Sequence, residues 1–584
     1  MKVYKIVSLM ALCALVFSCN PAKPDDSQGG GGSSETDDKV DVINGTTIEE
    51  GMTAVGLITD AATGQGIPDI PVTDGYSYVV TDANGVYQMA ANRYTRNIYI
   101  SLPASFKVPL DPKTHLPLFY STKEFEKNKV NRNDFKLEPQ AVEEKFTLVM
   151  IGDPQCQTTA QVQRYKTETV PSMLSTLNQG AAEGRYPNPY GITLGDITFD
   201  STNLWEPMKE TMSELKLNNG SWFSIFQCIG NHDHNSLEHN SDYDATGKYV
   251  EYFGPTDYSF DRGQAHIIVM DDIMCTKVSS NSSPNSYTWG YNGGFTKAQY
   301  QWLQDDISHV SDKSKKIGIL CMHIPMRAGA SSGGSSVNTD KYYKEVLTLL
   351  KGFKEAHIMI GHTHYQQNYV HSGYVCVGGQ PIYEHVHGAA CGGWWSCDSN
   401  VTGAPNGYTV YEIEGNTVKN WVLLGSKTQP DYQMRVYDGN QVYTGSRNYI
   451  YQWSNSSNKG GTGNITAVGN SNLKNAFVVE VFNDDDRYWK LELWQNGAKV
   501  GDFKKLPNGS CCNVCLASYF FNELGKNTDT WTNKTASHYW YFVPASKDPA
   551  SEKNWEVRAT QTIPYSGQTN LYACGTLTTD YSQF

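Results

Sequence analysis

The sequence predicts an α/β domain in the middle of the chain with a β-rich domain on either side. Three observations predict it. Five short apolar runs, at 146–151, 191–194, 223–229, 317–322 and 357–360, each close on a cluster of polar residues. Four stretches of mixed polarity with apolar residues at helical spacing, 158–177, 204–217, 296–310 and 340–353, alternate with them. Before 139 and after 426 the pattern changes to short alternating runs separated by turns. Apolar runs closed by polar residues read as buried strands that deliver side chains at their C-terminal ends. Strands alternating with helices imply helices laid over buried sheets.

At 584 residues the chain is too long for one core and is expected to fold as several domains. Charged residues are 18% and aromatics 12%, with 37 Tyr and 13 Trp. That balance suits a loop-rich, sheet-heavy extracytoplasmic protein. Net charge is −13, and removing Lys2 and Lys5 with a leader makes it −15. An acidic chain without a basic stripe argues against nucleic acid as a partner. A monomer is expected.

Residues 1–19 carry Lys2 and Lys5, then an apolar stretch from Ile6 to Phe17, then Ser18-Cys19. This is a signal peptide, too short to span as a stable helix. Its end resembles a bacterial lipobox, which implies an exported lipoprotein held in the outer membrane by a lipid on Cys19, on its periplasmic or cell-surface face. Residues 20–46, rich in Gly, Pro, Ser and Asp at their start, read as a flexible linker. Residues 47–141 alternate in short runs, the pattern of a small Ig-like antiparallel β-sandwich. They resemble the carboxypeptidase-regulatory-like domains that precede many surface enzymes. Asp60, Asp82 and Asn84 fall in its turns, where Asx side chains bond their own backbone.

The chemistry lies in residues 142–425. The apolar runs end in Gly152-Asp153-Pro154-Gln155, Gly195-Asp196 with Asp200, Gly230-Asn231-His232-Asp233, His323, and Gly361-His362-Thr363-His364. Five strand ends offering carboxylate, amide and imidazole groups form a donor set for two divalent cations that share a bridging carboxylate. These five stretches resemble those of the calcineurin-like metallophosphoesterases. The family implies an αββα sandwich and a two-metal phosphoric ester hydrolase, acting on monoesters or diesters of a small-molecule, glycan or lipid substrate. One departure stands out: Gln155 occupies a position where most of the family has His.

The resemblance implies roles for single residues. Asp196 would bridge two ions (Mn, Zn, Fe or Mg). Asp153, Gln155 and His364 would complete one shell, and Asn231, His323 and His362 the other. Gln155 can ligate only through a neutral amide oxygen, which favours a harder ion or a partly filled site. A metal-bridging hydroxide would be the nucleophile, with His232 as acid and Asp233 orienting it. Phe199 stands where purple acid phosphatases carry an iron-binding Tyr, which disfavours a Tyr–Fe(III) centre. Asp200 either caps the next helix or orders the Asp196 loop, and the cap is favoured. The alternative function is a surface phospho-ligand or glycan-binding lipoprotein whose site is weakened by Gln155.

Around the centre, Arg327 is either a phosphate contact or a solvated loop residue, and Trp394-Trp395 either a stacking surface for substrate or, by default, buried against the C-terminal domain. Polar stretches at 235–263 and 278–294 read as long loops walling the pocket, and Tyr383–His387 as a strand and loop at its mouth. Of thirteen Cys, Cys156, Cys228, Cys321 and Cys376 read as apolar filler, and Cys391 with Cys397 as able to close a loop. Cys511, Cys512 and Cys515 lack further ligands for a zinc site. Residues 426–584 are β-patterned at 476–483, 488–494, 538–543 and 555–560. They resemble the companion domain of this phosphoesterase type in Bacteroidetes-like lipoproteins.

Overall fold

The computed structural model describes residues 41–234, 241–279, 287–327, 341–400, 402–440, 473–485, 487–506, 511–512, 535–536 and 538–579. The leader, Cys19 and most of the linker lie outside the described residues, as does Cys515. Among the described residues no helix is long and apolar enough to cross a membrane.

The Lys145–Ile151 strand turns Phe146, Leu148 and Met150 to one face and Val149 and Ile151 to the other, and all five are buried. A strand buried on both faces belongs inside a layered α/β domain. It pairs in parallel with Pro189–Leu194, which pairs in parallel with Ser224–Cys228. Antiparallel strands Gly407–Glu414 and Thr417–Gly425 complete this five-stranded sheet. A second, six-stranded sheet runs in the order Tyr258–Arg262, Ala265–Val269, Ile317–Cys321, Glu355–Ile360, Pro381–Val386, Gln367–Val375.

Three apolar layers hold the arrangement together. Between the sheets, Leu148, Met150, Leu194 and Phe226 share a cluster with Ile267, Ile319 and Met359. Outside the first sheet, Val149 and Ile151 join Met173, Leu177, Trp205 and Met208 from helices Val170–Ala182 and Trp205–Ser213. Outside the second, Ile268, Leu320 and Ile358 join Trp302 and Leu303 of Lys297–His309 and Val346 and Leu350 of Tyr343–Leu350. The result is the expected αββα sandwich. Its helices begin where the sequence marks them: Thr158 accepts from the Gln161 N–H, and Thr296 forms a capping box with Gln299. The first helical stretch widens to a π turn at Tyr165–Thr169, just before Pro171. Pro lacks an N–H and crowds the carbonyl one turn back, and the wider turn absorbs both.

Two of the expected polar loops are structured. Residues 242–253 form the short helices Asp242–Ala245 and Gly247–Phe253, and Ile273–Ser279 pairs with Tyr287–Gly293 as a hairpin. In the hairpin, Tyr287, Trp289 and Tyr291 alternate with Thr288, Gly290 and Asn292, a period-two pattern that a reading of the whole stretch as polar loop passes over. The Pro381–Val386 strand also departs from expectation. It lies inside the second sheet, with His385 and His387 buried, not at a pocket mouth.

The N-terminal module holds two small sheets and a short hairpin, Val42–Ile43 with Thr46–Thr47, formed by the end of the stretch expected to be flexible linker. It is not purely antiparallel, because Asn131–Arg132 and Phe135–Leu137 pair in parallel with Ala54–Asp60. Asp60 and Asp82 accept backbone N–H groups within their own turns, as expected of Asx residues. The module is bonded to the second sheet: Leu102 bridges Phe260, the Tyr99 hydroxyl donates to the Asp257 carbonyl, and Tyr78 donates to Asp306. The C-terminal module is a β-sandwich of two four-stranded sheets around Val479, Leu491, Trp540 and Val557. It grips the catalytic sandwich through Tyr383 to Asp485 (2.5 Å), Gln366 and Asn368 to Asn483, and Asn570 to Asn420.

Candidate metal centre

All five motif stretches converge where the C-terminal ends of both sheets meet. Asp153, Gln155, Asp196, Asp200, His362 and His364 have φ between 36° and 68°, a region costly for residues with a Cβ. Each apolar strand ends and its chain turns sharply, so consecutive side chains swing into one space. The glycines before them are steric requirements. A Cβ on Gly230 would overlap the backbone and carboxylate of Asp196, and one on Gly361 would lie 2.6 Å from Asp153 Oδ2.

One half of the centre is well formed. Asn231 Oδ1 lies 3.0 Å from His323 Nε2 and 2.9 Å from His362 Nδ1, the two imidazole nitrogens are 3.2 Å apart, and Asp196 Oδ2 is 3.3 Å from His323 Nε2. Donors about 2.0–2.2 Å from a common ion lie roughly 3 Å from one another, so this set fits a divalent cation. Burial and the nearby His323 push His362 down to about 3, which leaves a neutral ligand nitrogen. Against burial, Asp196 draws His323 up to about 10, so positive charge is favoured at this point. The Leu194 carbonyl, 2.8 Å from His323 Nδ1, fixes the ring with Nε2 facing inward.

The other half is less complete. Asp153 is fully buried, accepts the His362 N–H at 3.0 Å and lies 3.7 Å from His364 Nε2. Burial raises its carboxyl to about 8 and lowers His364 to about 4. Gln155, expected to complete this shell, is turned away. Its Oε1 accepts the Trp394 indole N–H at 2.6 Å, and its Nε2 donates to Asp196 Oδ2 at 3.0 Å. An indole nitrogen can only donate, so the amide cannot be flipped, and its NH₂ faces the carboxylate.

His232 and the two nearby aspartates also depart from expectation. The His232 N–H donates to Asp196 Oδ1 at 2.9 Å, and its ring stacks on Phe199 with centroids 4.0 Å apart. Its Nδ1 lies 3.0 Å from Asp200 Oδ1, so Asp200 is its partner and not a helix cap; Ser201 precedes the next helical turn. Asp233 does not orient His232. Its carboxylate accepts the N–H groups of Gly230, Ile197 and Thr198, which tie two ligand loops together. Burial and Asp196 push Asp233 up to about 7 against those three donors.

The remaining candidates divide. Arg327 is buried, donates to Gln367 Oε1 at 2.6 Å and lies over the Tyr369 ring, so its guanidinium is committed to the Gln367–Val375 strand. Trp395 is buried too, donating to the Pro154 carbonyl at 2.9 Å, and is no substrate surface. Trp394 stays at the centre, its ring 5.8 Å from that of His364 and 6.5 Å from Phe199. Cys391 and Cys397 are free thiols, not a bridge, while Cys156, Cys228, Cys321 and Cys376 are buried as expected. Sequence reasoning missed Tyr291, whose ring edge meets His362 at 6.0 Å from the hairpin. It also missed Asp272, which accepts the N–H groups of His323 and Ile324 and the Tyr343 hydroxyl. Neither residue adjoins a motif, so no local signal marked them.

No curated protein matches the chain. Among solved structures, a purple acid phosphatase, PPD1 from yellow lupin (Lupinus luteus) seeds, matches with 13% identity and a TM-score of 0.32. The match covers 62% of this chain and 66% of that one, just under two thirds of its length. Three family models match in succession: the N terminal of calcineurin-like phosphoesterase over residues 52–140, calcineurin-like phosphoesterase over 146–366, and its C terminal over 384–564. Together with the metal-ligand geometry, these consecutive matches make the chain a member of the calcineurin-like phosphoesterase family.

Proposed function

We propose that the protein cleaves phosphoric monoesters or diesters at a centre of two divalent ions, with His232 protonating the leaving oxygen. The observation that carries this reading is the setting of His232. Its Nδ1 is engaged by Asp200 at 3.0 Å and its ring is held flat against Phe199, which leaves Nε2 to carry the transferable proton. Burial opposes its charge, but Asp200 and Asp196 outweigh burial and raise its pKa above the ordinary histidine value. An imidazolium beside the Asp196 loop suits a general acid.

Asp196, Asn231, His323 and His362 would hold one ion, and Asp153, Asp196 and His364 the other. When bound, such ions neutralise phosphoryl charge and make a water nucleophilic at neutral pH. Asp233 and Asp272 keep the ligand loops in register through backbone bonds. The ester's organic group would lie against Trp394 and Tyr291, which are 38% and 44% exposed. The leader with Cys19 supports placing this activity at the outer membrane on a lipid anchor, with a small-molecule, glycan or lipid phosphate as substrate. Hydrolysis of aryl phosphate mono- and diesters, with and without added Mn, tests the reading. Turnover that requires metal and is abolished by a chelator is expected. Fully metal-loaded protein that cleaves neither ester would refute it.

A further inference from the structure

The turn from Cys391 to Trp395 is laid along the first ligand motif. Ala390 and Cys391 donate to the Gly152 and Asp153 carbonyls at 2.7 and 3.2 Å, and the Trp395 indole donates to Pro154. Trp394 and Trp395 have φ of 48° and 62°, two consecutive left-handed residues with large side chains. Such a conformation persists only where its surroundings hold it. Here an ion network does so from outside: Arg164 bonds the Trp395 carbonyl, Asp398 and Glu168, and Lys427 joins Asp398 and Glu168. The turn reaches both donors of the less complete half-site. The Gly392 carbonyl engages the His364 ring, the Cys391 thiol lies 3.8 Å from His364 Nδ1, and Trp394 takes the Gln155 oxygen. Cys391 is therefore on the side of the His364 ring away from Asp153, outside the ligand set.

We propose that Trp394 is a positioning residue that keeps Gln155 out of the metal shell, so that the centre holds one ion tightly and a second loosely. The tight ion is bound by Asp196, Asn231, His323 and His362. The loose ion has only Asp153, His364 and a share of Asp196, whose Oδ2 also accepts a hydrogen bond from the Gln155 amide. A carboxylate oxygen that is already accepting a hydrogen bond donates less to a cation, and a shell short of one ligand binds more weakly. Gln155 thereby acts on the centre through the Asp196 oxygen that also faces His323 Nε2.

The inference rests on the phosphoesterase reading of this centre, and Mn²⁺ binding tests the two separately. Metal content after dialysis and calorimetric titration of the full chain would be measured for four proteins: the native chain, Gln155→Leu, Trp394→Phe, and the double variant. The native chain should retain one ion per chain and bind a second at least ~10-fold more weakly. Gln155→Leu loses no ligand and frees Asp196 Oδ2 of one hydrogen bond, so it should tighten the weaker Kd slightly, by less than about threefold. Trp394→Phe frees the amide oxygen to turn inward and should tighten the weaker site by ~10-fold or more, and the double variant should lose that gain. Retention of the tight ion in every variant reports that the sandwich is intact. Two equally tight ions in the native chain, loss of the weaker ion in Gln155→Leu, or no tightening in Trp394→Phe would each overturn the inference. Failure of the native chain to bind any Mn²⁺ would instead overturn the metal-centre reading itself.

Discussion

Asp200 and Asp233 both lie close to His232, yet the structure gives them different work, and their replacement by Asn should separate the two. Asp200 makes one charge-assisted bond to His232 at 3.0 Å and its side chain is 48% exposed. Such a bond contributes about 1.5–3 kcal/mol when shielded, and solvent screening at this exposure reduces it to about 1 kcal/mol. Asp200→Asn should therefore lower kcat only about five- to tenfold, since Phe199 still holds the ring. His232→Ala removes the acid outright and should lower kcat by roughly 10²–10⁴. The double variant should be no worse than His232→Ala, because Asp200 acts through that ring. Asp233→Asn should behave otherwise. Asp233 is fully buried and its two oxygens serve three backbone donors, whereas Asn offers one oxygen and turns an NH₂ toward a donor. Stability should fall by on the order of 3 kcal/mol, with weaker metal retention. The assay compares kcat for nitrophenyl and alkyl phosphate esters, with urea midpoints and metal content alongside. The deficits in Asp200→Asn and His232→Ala should shrink for nitrophenyl esters, whose leaving group needs no proton. If Asp233→Asn kept full stability and metal yet showed the leaving-group dependence, the assignment of the two aspartates would be reversed.

Other outcomes follow from the same geometry. His266 is buried between Asp306 at 2.9 Å and Asp261 at 2.7 Å, which overcome burial and raise it from 6.5 to about 9. Its contribution, on the order of 3 kcal/mol, should be complete below about pH 6.5 and lost as pH rises through about 9. Urea midpoints between about pH 6 and pH 10 should show this loss, and His266→Gln should flatten it. Asp196→Asn should cut occupancy of both ion sites, and two ions retained with full activity would exclude a bridge. Gly361→Ala puts a methyl 2.6 Å from Asp153 Oδ2 and should lower activity more than ~10-fold with little loss of fold, as read by far-UV circular dichroism.

The sandwich was legible because its strands are apolar on both faces and end abruptly, a pattern that survives without any partner in view. The convergence of the candidate ligands was legible for the same reason: Asp153, Asp196, Asn231, His323, His362 and His364 stand where those runs stop. What escaped was orientation. Nothing local to Gln155 says that an indole 239 positions away takes its oxygen. Asp200 and Asp233 are both acids close to the histidine in space, and only the backbone path decides which reaches Nδ1. The hairpin carrying Tyr291 was missed because the Ser- and Asn-rich sequence between its strands reads as loop and hides the alternation of Tyr287, Trp289 and Tyr291.

The five ligand segments are far apart along the chain: Asp153 accepts the backbone N–H of His362 from 209 positions away. Neither sheet alone contributes a full shell, because Asp196 and Asn231 follow strands of one and His323 and His362 follow strands of the other. Contacts of such long range close late in folding, after most of the loop-closure entropy has been lost. A nascent chain that ends before residue 362 thus lacks a ligand for each ion, however much sheet it has formed. Metal capture therefore requires both sheets to be in place together.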